Sequence, residues 1–169
     1  MKKGFTLIEL LIVVAIIGII AAMAIPNLLK STMAANESTC IGNMRTYFSA
    51  QHTYRSTRTP RSFGWADALS ADGQLDPAYS DAIRPTGTGR VLSGYLYEEF
   101  CHPDASGLVL NRIELESGPE VYDVDGKRQF YLGPGGQLWT IDNAADGLPG
   151  VINNLPWDPS VDDWNTLAE

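Results

Sequence analysis

The sequence predicts an α+β fold, in which a long N-terminal helix packs on a small antiparallel sheet of about four strands. Residues 5–57 show helical periodicity, apolar on all sides at first and on one side later. From residue 91 the period shifts towards two, which is typical of strands. Short connections favour antiparallel pairing, and a helix laid on such a sheet gives an α+β arrangement.

The first part of the helix, residues 5–26, has the composition of a membrane span. Up to Ile25 it carries a single ionisable side chain, Glu9. Because a helix rises about 1.5 Å per residue, this stretch covers about 30 Å, the thickness of a bilayer's hydrocarbon core. Lys2 and Lys3 precede it, and basic residues favour the cytoplasmic side. The sequence therefore predicts a cytoplasmic N-terminus, with the rest of the chain across the membrane.

A cleaved secretory signal is the main alternative for this segment. The segment has the basic start of a signal, its apolar stretch and an A-x-A sequence at 22–24. However, the apolar stretch is longer than the roughly 7–15 residues usual in a signal. It also contains Glu9 and continues without a change of pattern into an amphipathic helix. These features favour a helix that the mature protein keeps.

Glu9 needs a physical reason for its place in an apolar helix. An acidic side chain at mid-membrane costs about 2.5–3.5 kcal/mol, and the N-terminal end of a helix offsets part of this cost. Cleavage after Gly4 would create a cation at the same depth, the α-amino group of Phe5. A small axial stagger would then place Glu9 of one copy beside Phe5 of the next, so that charge pairing sets the register of assembly.

The hexapeptide Gly4-Phe5-Thr6-Leu7-Ile8-Glu9, behind a short basic leader, resembles the cleavage and methylation motif of type IV prepilins and type II secretion pseudopilins. The resemblance implies that a prepilin peptidase removes residues 1–4 and methylates Phe5. It also implies that Glu9 docks subunits into a helical homopolymer, with the help of inner-membrane assembly machinery. The precursor would be a single-pass inner-membrane protein, and the product an extracellular pilus filament, or fimbrium.

Two residues of the apolar helix are expected to loosen it. Pro26 lacks a backbone donor and crowds the carbonyl of Ala22, which predicts a kink. With Gly18 it brackets the stretch most able to bend during packing. Both fall where members of the resembled family often carry such residues. For Pro26, a simple kink at the membrane exit and a specific role in assembly both stay open.

Residues 27–169 are predicted to form a globular head. Its helix, 27–57, carries one apolar stripe. The stripe consists of Met33, Cys40, Ile41, Met44, Tyr47, Phe48 and Tyr54. Residues 58–90 are rich in Pro, Gly, Thr and Ser and predict a long connection with one short helix over 65–71. The chain ends in an acidic tail, 142–169.

Four strands are predicted within residues 91–141. They cover 91–100, 108–115, 129–132 and 137–141. The third and fourth are joined by Gly133-Pro134-Gly135-Gly136, a strong signal for a tight turn. This region resembles the globular head of pilins, and residues 126–131 followed by Gly136 are similar to the last hairpin of several bacterial pilins.

The two cysteines, Cys40 and Cys101, are too few for a structural zinc site, which takes four ligands. In an oxidising compartment they are predicted to pair as a disulfide that ties the head to the helix. Such a bridge would add roughly 3–4.5 kcal/mol in the chain-entropy model. Two reduced cysteines in the core are the alternative.

Charge and motif content argue against nucleic-acid binding and catalysis. The net charge of −8 would repel phosphate backbones, so no direct nucleic-acid partner is expected. The basic residues Arg55, Arg58 and Arg61 are interpreted as a solvated helix end and loop. Cys101 and His102 are neighbours on a predicted strand, where consecutive side chains point to opposite faces. No enzyme activity, cofactor or metal site is therefore predicted.

Acidic residues at two places have the composition of calcium ligands. Asp123, Asp125 and Gly126 resemble the start of a calcium loop, but position 134 is Pro where the bidentate Glu would stand. A turn is therefore predicted there. The acidic tail is similar in composition to the calcium loop of major pseudopilins, and solvated filament surface is the simpler interpretation.

A structural pilus subunit is the leading functional prediction. A major pseudopilin of a type II secretion system is the closest alternative, followed by a minor pilin for adhesion or DNA uptake. A signal-cleaved periplasmic enzyme or binding protein belongs to another class, and a mature chain starting at Ile25 would indicate it. Tip-initiating members of the resembled family often lack the acidic residue, so Glu9 favours a subunit of the shaft.

Overall fold

The computed structural model describes residues 4–84, 91–107, 109–142 and 165–166, and the structural statements below concern these residues. Its helices are α1 (Leu7–Thr57), α2 (Ala66–Ala71) and α3 (Pro77–Ala82). Its strands are β1 (Ile83–Arg84), β2 (Tyr95–Pro103), β3 (Leu110–Pro119), β4 (Arg128–Leu132), β5 (Leu138–Asp142) and β6 (Asn165–Thr166). Lys2, Lys3 and nearly all of the predicted acidic tail lie outside the described residues.

Helix α1 is continuous over 51 residues and passes through Gly18 and Pro26 without a break. Its first part is exposed on every side, and an 18-residue window there has a mean hydropathy of 2.9 with none of it buried. Within the described residues, α1 is the one helix that is long and apolar enough to cross a membrane, by length and composition. The kink expected at Pro26 stays a prediction.

The strands form one sheet in the order β1-β2-β3-β4-β5-β6. Strands β2 to β5 pair antiparallel with their neighbours in the chain, so the predicted four-stranded antiparallel sheet is confirmed. Two-residue strands extend its edges: β1 pairs parallel with β2, and β6 pairs antiparallel with β5. Neither two-residue strand was predicted from the sequence, because two residues are too few to show a period.

The turn between β4 and β5 is the glycine-rich turn that the sequence predicts. The Gly133 N–H donates to the Gln137 carbonyl at 3.0 Å, and the Gly136 N–H donates to the Gly133 carbonyl at 2.9 Å. Gly136 has φ +83°, in the left-handed region that favours glycine. A Cβ at this position would lie 2.6 Å from the ring of Phe48, so the turn packs directly against α1.

The second part of α1 lies on the sheet and forms the core with it. Cys40, Met44 and Tyr47 of the predicted stripe are fully buried. They pack with buried apolar residues of the connection and the sheet, among them Phe63, Leu69, Leu75, Tyr79, Tyr95, Tyr97, Ile113, Leu115, Phe130 and Leu132. Two polar residues of the same helix face, Glu37 and Gln51, are buried as well. The α+β architecture, which is pilin-like, is confirmed.

The connection between α1 and the sheet contains two short helices instead of the one predicted. Helix α2 falls where it was expected, over Ala66–Ala71. Helix α3 was missed, although the sequence carries its start signal. Asp76 accepts a hydrogen bond from the Ala78 N–H at 2.8 Å, and Pro77 occupies the first helical position.

Candidate assembly site

The start of α1 is held by a reciprocal pair of hydrogen bonds between Thr6 and Glu9. The Thr6 N–H and the Thr6 hydroxyl both donate to Glu9 Oε2, at 2.8 and 2.6 Å. The Glu9 N–H donates to Thr6 Oγ1 at 3.3 Å, which completes a capping box. The Thr-x-x-Glu spacing is a sequence signal for this capping box, which was not predicted.

The capping box leaves Glu9 available to a further partner. Its bonds with Thr6 all use Oε2, and no ion pair joins the carboxylate to another residue that the structure describes. Gly4 and Phe5 precede the helix, Phe5 is 92% exposed, and a Cβ on Gly4 would meet nothing within 4 Å. The peptide bond after Gly4 therefore lies in an open, non-helical segment beside the cap.

The helix behind the cap presents an uncovered apolar surface. Its large side chains are all at least half exposed from Phe5 to Leu29. These side chains include Leu7, Ile8, Leu10, Leu11, Ile12, Val13, Val14, Ile16, Ile17, Ile19, Ile20, Met23, Ile25 and Leu28. Gly18 and Pro26 both lie within this surface. Such a surface needs lipid or other apolar chains around it.

The head is fastened to α1 at the point where this surface ends. Arg128 binds Glu37 Oε2 through Nε at 2.8 Å and through a terminal guanidinium nitrogen at 2.7 Å. The other oxygen of Glu37 accepts the backbone N–H groups of Lys127 and Arg128, at 3.0 and 3.3 Å. A buried carboxylate on α1 thus binds the guanidinium of Arg128 and the backbone N–H groups at the start of β4. These charge-assisted hydrogen bonds hold the head firmly against the helix.

A second buried carboxylate, Glu99 on β2, joins the connection to α1. It accepts the hydroxyl of Tyr47, the amide of Gln51 at 3.3 Å and the Ala66 N–H at 3.0 Å. Gln51 also clamps Gly64, donating to its carbonyl at 2.6 Å and accepting its N–H at 3.2 Å. Burial raises the pKa of Glu99 to about 7. The cluster holds residues 64–66 against the helix.

The predicted disulfide between Cys40 and Cys101 is wrong for this structure, in which both thiols are free. Cys40 Sγ lies 3.0 Å from Ser117 Oγ, and Ser117 pairs with Tyr97 across the sheet. Cys101 is four residues further along β2 than Tyr97, or about 13 Å at the rise of a strand. A disulfide requires Cα atoms roughly 4.4–6.8 Å apart. Burial raises the pKa of the Cys40 thiol to about 12, so it is a structural core thiol.

Two other sequence predictions about the head are confirmed. Cys101 and His102 face opposite sides of the sheet: the thiol lies 3.9 Å from the Gly64 carbonyl, while His102 Nε2 lies 3.5 Å from Glu114. The stretch 121–126 is a turn, in which the Asp125 N–H donates to the Val121 carbonyl at 3.0 Å.

The basic residues at the end of α1 contact aromatic and acidic groups of the head. The guanidinium of Arg55 lies 4.6 Å from the ring centre of Phe63. That of Arg58 lies 4.4 Å from the ring centre of Tyr54 and pairs with Asp72 at 2.9 Å. Arg58 therefore has an acidic partner within the chain, whereas Arg55 makes the cation–π contact, and its Nε is buried without a hydrogen-bond partner among the described residues.

Residues 1–25 match the family model for the prokaryotic N-terminal methylation motif. The chain is related to the type IV pilins. It is 48% identical over 57 residues to the type IV major pilin protein PilA of Myxococcus xanthus. It is 40% identical over 76 residues to the type IV wide pilus major component PilA4 of Thermus thermophilus. It is also 34% identical over 103 residues to a type IV major fimbrial protein FimA of Dichelobacter nodosus.

The similarity to these pilins covers part of each chain. The three matches span 34%, 45% and 58% of this chain, and 26%, 58% and 64% of the respective pilins. A fimbrial protein of Pseudomonas aeruginosa is 84% identical over only 25 residues. No solved structure matches the chain. The match to the methylation-motif model, over residues 1–25, includes the cap and most of the uncovered helix.

Proposed function

We propose that this chain is a structural subunit of a type IV pilus-like filament, processed after Gly4 and assembled through its apolar N-terminal helix. The observation that carries the proposal is the uncovered apolar part of α1 directly behind the methylation motif. A helix of this kind is unstable in water, so it must lie in a bilayer before assembly and among identical helices afterwards.

Processing after Gly4 fits the local structure. Residues 4–6 are exposed and non-helical, so a peptidase can bind them in an extended form. Cutting there removes Lys2 and Lys3 and creates the α-amino group of Phe5. Each lysine holds the precursor to an anionic cytoplasmic surface by about 1 kcal/mol, so the cut weakens this hold before assembly. Methylation of Phe5 by the same prepilin peptidase is part of the proposal.

Register is proposed to come from a charge pair between subunits. Glu9 keeps one carboxylate oxygen on Thr6, and its position one turn into α1 matches the depth of the new amine. In an apolar filament core the paired charges are strongly favoured over the same charges unpaired, because water cannot solvate either charge there. A neighbouring subunit shifted slightly along the axis would bring its Phe5 amine to this carboxylate.

The proposal places the precursor in the inner membrane with a cytoplasmic N-terminus, and the assembled heads outside the cell. Self-association, a prepilin peptidase and inner-membrane assembly machinery are its partners. The names of the matched relatives, which are major pilins and a major pilus component, favour a pilus shaft over a secretion pseudopilus. The acidic tail, on which the secretion alternative depends, lies almost wholly outside the described residues.

The experiment is mass spectrometry of the mature N-terminus combined with electron microscopy of sheared surface filaments. We expect a first residue at N-methylated Phe5 and filaments made of this chain. A Gly4→Glu variant should stay uncut in the membrane and yield no filaments. The control Ala105→Ser, in the turn between β2 and β3, should behave as the wild type. A mature chain that begins at Ile25 would refute the proposal, as would filaments from the uncut variant.

A further inference from the structure

Exposed apolar side chains on the head are concentrated at one end. Beyond Leu29 the described residues include four large apolar side chains that are exposed: Trp65, Val91, Val121 and Val124, at 37, 39, 45 and 54%. Three of them lie on two turns, 91–94 and 120–127, which lead into β2 and β4. We call Val91, Val121 and Val124 the basal collar.

The two turns of the basal collar meet on α1 at Asn36. The amide of Asn36 donates to the Asp125 carbonyl at 3.0 Å. A Cβ on Gly94 would lie 2.9 Å from that same amide and 2.9 Å from the Asp125 side chain. The Glu120 N–H donates to the Gly94 carbonyl at 2.9 Å, which joins the turns to each other. The collar therefore stands where α1 leaves the head.

The collar presents its valines on a fixed backbone. The Val121 N–H donates to Asp125 Oδ2 at 3.1 Å, and the Asp123 N–H donates to the Gly126 carbonyl at 2.9 Å. Asp123 also pairs with Lys127 at 2.9 Å, so the neighbouring charges are satisfied within the turn. A turn held in this way loses little conformational entropy when its apolar side chains are covered.

The collar stands above one face of the uncovered helix. Asn36 lies seven residues beyond Leu29, and seven residues turn a helix through almost two full turns, with a rise of about 10 Å. Asn36 therefore points to nearly the same side as Leu29, which is 52% exposed, and close to that of Ile25, at 58%. A second helix packed on this face, with its axis roughly 8–10 Å from that of α1, would contact the collar.

We propose that the basal collar is a docking surface for a second copy of this chain, and that it covers the apolar helix segment 7–29 of that copy. The inference rests on the proposed function, since it adds a contact between head and helix to the helix-to-helix contacts of a filament. The apolar character of the segment 7–29 identifies it as the occupant. The uncovered helix is the large apolar surface that the described part of the chain leaves without a partner, and from Leu10 to Leu29 it carries no charge.

The first test introduces a charge into the collar of the full-length chain. Val124→Asp should lower the filament yield at least about tenfold, because a carboxylate against an apolar helix is costly. Ala105→Asp adds the same charge on the turn at the opposite end of the sheet and should leave the yield unchanged. Val124→Ala should give an intermediate yield. Equal melting temperatures of the detergent-solubilised variants show that the head still folds. Wild-type yield from Val124→Asp would overturn the inference.

The second test identifies the occupant. Val124→Cys is combined with a single cysteine at Leu11, Ile17 or Met23, and filaments are treated with a short thiol cross-linker. The background is Cys101→Ser, because Cys101 is a free, partly exposed thiol whereas Cys40 is fully buried. We expect linked dimers with at least one of the helix positions and none in the Cys101→Ser background alone. Links only between two heads, or none, would overturn the inference while leaving the proposed function intact. Absence of filaments from the wild-type chain would overturn the proposed function itself.

Discussion

The two halves of α1 show different surfaces on one unbroken helix. From Leu7 to Leu29 the large apolar side chains are exposed on every side, whereas from Glu37 onward one face is buried against the sheet. On the outer face of the second half, hydroxyl groups such as those of Ser38 and Thr46 bond to carbonyls four residues earlier. The helix is therefore suited to two environments: its own domain covers one half, and the other half needs lipid or other apolar chains around it.

The match to the methylation-motif model falls on the part of α1 that the rest of the described chain leaves uncovered. Residues 1–25 match the methylation-motif model, and none of the apolar window is buried within the chain. Packing within the described part of the chain therefore does not account for the motif there. Under the proposed function, contacts between subunits and with the peptidase account for it.

The largest expected difference comes from the same substitution in both halves. Met44→Ala removes a fully buried side chain and should lower the free energy of unfolding of the head by about 2–5 kcal/mol. Met23→Ala, at a residue 69% exposed, should change it by less than about 0.5 kcal/mol. Urea unfolding of the full chain in detergent, followed by tryptophan fluorescence, measures both. Similar losses at the two positions would mean that the halves do not differ as described.

The pH dependence of stability tests the buried half of α1 through Glu99, which binds Tyr47 and Gln51 of that half. Glu99 has a pKa of about 7 against an ordinary value of 4.5. Between these values the folded head keeps a proton that the unfolded chain has released. Stability should therefore fall as the pH rises through this window, by up to about 3 kcal/mol.

The measurement is the urea midpoint at pH 5 and at pH 8. Glu99→Gln should remove most of the difference, while Glu120→Gln, at an exposed position, should keep it. An unchanged pH dependence in Glu99→Gln would assign it to other groups.

The smallest expected effect concerns the cap at the uncovered end. Thr6→Ala removes the capping box and should destabilise the first turn of α1 by about 1 kcal/mol, whereas Thr6→Ser should retain it. Hydrogen exchange of the first-turn amides in detergent should rise about fivefold in the alanine variant, since 1 kcal/mol is a factor of about five. Equal exchange in both variants would show that Thr6 does not hold the cap.

The uncovered half was predictable from the sequence because its signals are local. Apolar composition, the Gly4–Glu9 motif and the helical period all lie within one stretch of chain. The four main strands and the α+β class were predictable for the same reason, since the period and the glycine-rich turn are also local signals. Even so, the local signals of the capping box and of Asp76-Pro77 were overlooked.

The polar contacts that fasten the head were not predictable, because they join distant residues. Glu37 meets Arg128 across 91 positions, and Glu99 meets Tyr47 across 52. The disulfide prediction was wrong for the same reason. Composition and compartment show that two cysteines can pair, but only the register of Cys40 against the sheet shows that they lie too far apart.

The most direct test of the central claim is the assembly of Glu9→Leu. Because this substitution removes the charge and leaves the helix apolar, we expect normal insertion in the membrane and cleavage after Gly4. We also expect a loss of filaments under the electron microscope, since the amine of Phe5 has no carboxylate to meet. Wild-type filament numbers from Glu9→Leu would contradict the claim that this charge pair sets the register of assembly.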